Sequence, residues 1–145
     1  MMSENQSADL LEEVYKATQM GLEATRLVTP KIQDEGLRKE IRRQESCYQK
    51  IVSEAEDLLS SRGKHPEANE TMKKAMLWGS VQMNTLMDSS AEHIAEMMIN
   101  GTTMGIVDMT KKLNDLGDAD SEARKLAQEF IGSEEKHIEE LKKHL

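Results

Sequence analysis

The sequence predicts an all-α fold: a four-helix bundle of two pseudo-symmetric helical hairpins joined by a long crossover that contains a short helix. Three observations predict it. Apolar residues recur at steps of three and four through four long segments. Only 2 prolines interrupt the 145 residues, and the abundant charged residues are mostly good helix formers. A motif in the first long segment returns in the third. At this length one domain, 1–145, is expected.

The first segment, 7–33, carries Leu10, Val14, Ala17, Gly21, Ala24, Val28 and Ile32 on one face. Pro30 stands near its end, where its missing N–H shortens or kinks a helix. Asp34-Glu35-Gly36 reads as a turn. The second segment, 37–61, repeats the spacing with Leu37, Ile41, Gln44, Tyr48, Ile51, Ala55 and Leu58. Gly63 and Pro66 stand in stop positions beyond it. Segment 69–88, with Met72, Met76, Gly79, Met83 and Leu86 on one face, is the short crossover helix, and Trp78 lies off that face. Asp88-Ser89-Ser90 supplies N-cap candidates for a third long helix over 90–116. Its face is Ile94, Met98, Gly101, Gly105, Met109 and Leu116. A turn at 117–121 leads to the last helix, 122–144, with Ala123, Ala127, Phe130, Glu134, His137 and Leu141 inward.

Thr18-Gln19-Met20-Gly21-Leu22 returns 84 residues later as Thr102-Thr103-Met104-Gly105-Ile106. Upstream, Leu10 corresponds to Ile94, Val14 to Met98 and Ala17 to Gly101. Each copy is followed by a turn and a second helix, so the chain reads as hairpin, crossover, hairpin. Ala17-x-x-x-Gly21 and Gly101-x-x-x-Gly105 place small residues four apart, which lets helix backbones approach. The first and third helices are therefore expected to meet back to back at Gly21 and Gly105.

Composition excludes several functions. The net charge of −8 disfavours a nucleic-acid or anionic-membrane partner. No run of eighteen apolar residues spans a bilayer. Met1-Met2-Ser3-Glu4-Asn5 lacks the basic-then-apolar pattern of a signal peptide, so no secretory leader is expected. One cysteine allows no internal disulfide, and a cytoplasmic setting is expected. The 11 methionines do not gather in a ligand motif and are expected to fill core volume. No glycine-rich phosphate loop occurs. Cys47, flanking the seam without an evident basic neighbour, is expected to be inert. A homodimer is left open.

Glu134-x-x-His137 places a carboxylate and an imidazole on one helix face, at a spacing that lets both reach one metal ion. Glu45-x-x-Tyr48 stands at a comparable place on the second helix. With these motifs and the hairpin repeat, the chain resembles the ferritin-like superfamily, including its rubrerythrin-like and spore-coat bundles, over nearly its whole length. The resemblance implies iron or another divalent metal. In that family a di-iron centre takes a Glu from each of two helices and a Glu-x-x-His from each of the other two. It also implies ferroxidase- or peroxidase-like chemistry where the centre is complete.

Residue by residue, the pattern is incomplete. Glu134, His137 and Tyr48 point inward and Glu45 lies at the flank. Glu12, Glu23 and Glu96 point outward and Asp108 is peripheral. Three readings follow. One is a ferritin-like bundle without a complete di-iron centre, acting as a structural or interaction protein. Another is a metal-binding protein with an atypical site at Glu45, Tyr48, Glu134 and His137. The last is a helical sensor or adaptor.

Overall fold

In the computed structural model, which describes residues 2–66, 73 and 90–145, four long helices pack as a bundle. They are α1 (Met2–Val28), α2 (Glu35–Ser60), α3 (Ala91–Asp115) and α4 (Ser121–Lys142), with a 3₁₀ turn at Thr29–Lys31. Among the described residues there is no strand. The expected crossover helix over 69–88, Trp78 included, lies outside the described residues.

Each helix ends for a local reason. Pro30 cannot donate to the preceding turn, so α1 stops at Val28 and tightens into the 3₁₀ turn. Asp34 is not part of a loose turn; its Oδ1 accepts the Leu37 N–H at 2.8 Å. Glu35 and Gly36, expected in a turn, thus belong to the first turn of α2. Gly63, at φ +72°, reverses the chain after α2. Its N–H donates to the Ser60 carbonyl and the Lys64 N–H to that of Leu59, a Schellman closure. Ser90 caps α3 through the His93 N–H, and Asp120 caps α4 through that of Ala123.

The hairpin partners, α1 with α2 and α3 with α4, make the most extensive contacts, and α4 also packs against α1 and α2. The start of α1 ties down the far turn. Gln6 Oε1 accepts the Asp118 N–H and Ser7 Oγ that of Asp120, both at 2.8 Å. Arg62, just beyond α2, reaches the Asp120 carboxylate at 2.6 Å. Arg124 donates to the carbonyls of Leu113 and Leu116, which the end of α3 leaves open.

The buried stripes differ from the expected ones on α1 and α3. Thr18 and Thr25 are fully buried while Ala17, Gly21 and Ala24 are half-exposed. On α3 Thr102 is buried and Gly101 faces solvent. A buried threonine is tolerated here because its hydroxyl returns to its own helix. Thr18 donates to Val14 O, Thr25 to Leu22 O and Thr102 to Met98 O, at 2.6, 2.6 and 2.8 Å.

The expected back-to-back meeting of glycines is also corrected. The atoms nearest a Cβ on Gly21 belong to the Tyr48 ring of α2, and those nearest one on Gly105 to Glu134 and Phe130 of α4. Among the described residues nothing lies within 4 Å of one on Gly101. The small residues make room for large side chains of the partner helix rather than for another backbone. None of the described helices is long and apolar enough to cross a membrane.

Candidate functional site

The apolar core divides into two clusters. One contains Leu10, Leu11, Val14, Leu22, Tyr48, Ile51, Met109 and Phe130 among others. The other consists of Val28, Ile32, Leu37, Ile41, Ile94, Met98 and Leu141. On every helix the residues between the two clusters include a buried polar side chain: Thr25 on α1, Gln44 on α2, Thr102 on α3, and Glu134 and His137 on α4. Together they form a polar layer across the middle of the bundle.

The hydroxyl of Tyr48 donates to Oε1 of Glu134 at 2.5 Å. His137 Nδ1 lies 3.0 Å from the same oxygen, one helical turn on, as the i,i+3 spacing dictates. The Tyr48 and His137 rings meet edge to face, with centroids 5.1 Å apart and planes at 78°. Glu134 is 4% exposed and His137 1%. Burial, reinforced by the Glu134 charge, raises the Tyr48 hydroxyl well above its ordinary pKa, so it stays protonated and donates.

Cys47, the neighbour of Tyr48, is half-buried. Polar contact with the His137 imidazole lowers its thiol pKa against the opposing effect of burial, and Ser133 and Arg43 add to the lowering. His137 answers in kind. Burial acts to lower its pKa, but Cys47 and Glu134 together raise it. The expectation that Cys47 has no basic neighbour in the core is therefore corrected. Its neighbour comes from α4, 90 positions along the chain, and only the antiparallel docking of α2 on α4 brings the two together. That register is visible in Gly36 beside His144, Tyr48 beside Glu134 and Arg62 beside Asp120.

The structure thus brings together three of the four residues singled out in the sequence: Tyr48, Glu134 and His137. Glu45 lies at the flank, with its Oε1 3.7 Å from Nε of Arg26. Glu96 and Asp108 are exposed, and Glu12 and Glu23 partly so. Among the described residues no three His, Cys, Asp or Glu side chains are grouped as a metal ion requires. Two donors already converge on Glu134 Oε1. The donor set does not fit a di-iron centre, which needs carboxylates from four helices.

Among the described residues, Oε1 of Gln44 and Nε2 of His137 in this layer have no hydrogen-bond partner. The Gln44 amide nitrogen donates to Glu40 at 3.2 Å. Elsewhere, Asp9, Glu12, Glu13 and Lys16 of α1 face Lys112 and Asp115 of α3 across a charged surface groove of about 310 Å³.

The sequence pattern located Glu134, His137 and Tyr48 through inward placement at helical spacing. It missed Cys47, Thr102 and Thr25. For the threonines, a signal existed in their correspondence or proximity to the repeated Thr-x-Met-Gly motif. No protein-family model, curated protein or solved structure matches the chain.

Proposed function

We propose that the chain is a ferritin-like bundle without a complete di-iron centre, acting as a structural or interaction protein in the cytoplasm. The observation that carries this reading is the state of Glu134. Its carboxylate is engaged by Tyr48 and His137, and the repeated positions nearest this pair are glycines, Gly105 beside Glu134 and Gly21 beneath Tyr48. A di-iron protein needs bridging carboxylates there; here the polar layer serves to fix how the hairpins dock.

The repeat supports the pseudo-two-fold arrangement of hairpins. Its corresponding threonines, Thr18 and Thr102, are both buried and both bond one turn back. Its corresponding methionines, Met20 and Met104, are both exposed, at 41% and 63%, and Val107 beside the latter is 47% exposed. Flexible, polarisable methionines on a surface suit adaptable protein contacts, and a second copy of the chain is one partner that fits.

Elemental analysis of protein purified without chelator, alongside Glu134→Ala, tests the reading. Negligible iron, manganese and zinc in both preparations is the expected result. Stoichiometric metal in the natural sequence that is lost from Glu134→Ala would overturn it in favour of an atypical metal site.

A further inference from the structure

We propose that the groove between α1 and α3 seats the chain's own segment 67–89, whose methionine face covers Met20, Gly101 and Met104. Stoichiometric metal would overturn the reading above and leave this occupant in place.

The described helices fix where the segment begins and ends. Arg62, just beyond α2, meets Asp120 at the start of α4, and Ser7 at the start of α1 bonds to the same residue. Those three ends therefore share one end of the bundle. Ile94, at the start of α3, belongs to the cluster of Val28, Ile32, Leu37 and Leu141 at the opposite end. The segment must travel the whole length of the bundle between them. The 25 residues of α3 rise about 37 Å. The 23 residues 67–89 rise about 35 Å as a helix, which leaves little slack. Lys73 is the one described residue of the segment, and it is helical.

Two routes are open. α2 and α3 lie diagonally, each packed mainly on α1 and α4, so the path passes over α1 or over α4. The exposed face of α4 is rich in charge, with Glu122, Lys125, Glu129, Glu135 and Lys136. The exposed large apolar residues Met20, Met104 and Val107 are instead on α1 and α3. Helical spacing places the two methionines along one groove. At its lower end, Asp9, Glu12, Glu13 and Lys16 of α1 face Lys112 and Asp115 of α3. From Lys16, steps of three and four lead up α1 to Met20, Ala24 and Leu27. From Lys112, the same steps lead back along α3 through Asp108 to Met104, Gly101 and Met97. The groove is thus charged below and apolar above. Gly101 weakens a helix interior, and no described side chain uses the space it leaves.

The segment matches this surface in order. Met72, Met76, Gly79, Met83 and Leu86 share one face. A helix that runs antiparallel to α3 and meets it at Ser90 brings Gly79 beside Gly101, Met76 beside Met104 and Met83 beside Met97. Paired glycines let the two backbones approach, and methionines on both sides adapt to one another. The same register sets Lys73 level with Asp108, so charge meets opposite charge where the apolar part of the groove ends.

The test uses the full chain with Cys47→Ser and Ser80→Cys, a nitroxide on the new thiol, and methionines isotope-labelled at their methyl carbons for NMR. Met20→Leu and Met104→Leu assign the two signals. Both methyl signals should lose most of their intensity and recover when ascorbate reduces the nitroxide. The amide signals of Glu129 and Lys136 should keep theirs. Loss at Glu129 and Lys136 with Met20 preserved would overturn the route over α1. No selective loss on either side would overturn docking altogether. Met76→Asp combined with Met83→Asp should restore both methyl signals while the amide spectrum of α2 and α4 stays in place. Undiminished loss in that variant would remove the role of the methionine face. Nitroxide-bearing chains mixed with isotope-labelled chains that carry none should show no loss. Loss in the mixture would assign the groove to a second copy and overturn the proposal.

Discussion

Tyr48 and Glu134, from helices that belong to different hairpins, share a hydrogen bond of 2.5 Å at the centre of the bundle. Each stands against a glycine of its own hairpin's first helix: Tyr48 over Gly21 and Glu134 beside Gly105. Gly21 and Gly105 thus leave the space in which the two helix pairs join through polar groups.

Substitution of these glycines should separate the positions sharply. A Cβ on Gly21 would lie 2.7 Å from Tyr48 Cζ, so Gly21→Ala must displace the ring and weaken its bond to Glu134. The helix-propensity gain of about 1 kcal/mol is offset by overpacking of about 1–3 kcal/mol, and no gain or a net loss is expected. Gly101→Ala meets nothing within 4 Å among the described residues and should stabilise by about 0.5–1 kcal/mol. At Gly105 a methyl would make ordinary contact, with the Glu134 carboxylate oxygen 3.6 Å away. Gly105→Ala should be tolerated, whereas Gly105→Leu should cost about 1–3 kcal/mol. Urea denaturation of the four variants checks the order.

Tyr48→Phe keeps the ring that fills the space over Gly21 and removes only the donor to Glu134. Leaving a buried carboxylate short of one hydrogen bond should cost about 1–3 kcal/mol. A double-mutant cycle with Glu134→Gln should show coupling above about 0.5 kcal/mol. Additive losses in that cycle would mean that the two groups do not interact in the folded protein.

The dependence of stability on pH should carry two opposite slopes. His137 has a folded pKa above its usual 6.5. Its contribution is complete below 6.5 and is lost as pH rises through the folded value. Cys47 has a folded pKa below its usual 9.0. Its contribution is present above 9.0 and is lost as pH falls through the folded value. Denaturation midpoints measured from about pH 5.5 to 9.5 should show the second slope disappear in Cys47→Ser and both slopes flatten in His137→Gln, because the imidazole is the main cause of the thiol's lowered pKa.

Asp120 combines a helix cap with an ion pair, and its pKa is lowered mainly by Arg62. Asp120→Ala should cost about 1 kcal/mol through loss of the cap. Arg62→Ala should cost less than about 1 kcal/mol, because the pair is partly exposed and screened by salt. Thermal melts of the two variants at low and high salt distinguish the contributions. Most of the loss from Arg62→Ala should vanish at high salt, whereas Asp120→Ala should lose only its ion-pair part and keep the cap part.

The number of long helices, their approximate limits and most of their inward residues were legible in the chain, because helical periodicity, Pro30, Gly63 and the caps Ser90 and Asp120 act within a few residues. The stripe through Thr18, Thr25 and Thr102 was not. Hydropathy marks a threonine as polar, and only the helix conformation lets its hydroxyl find a carbonyl one turn back. Glu134 and His137 were visible as an inward pair, since their spacing alone puts them on one face. What that pair meets was not visible. Gly21 beneath Tyr48, Tyr48 on Glu134 and Cys47 against His137 depend on the register in which separate helices dock. That register is fixed by packing between segments distant in sequence, and no local pattern along the chain encodes it.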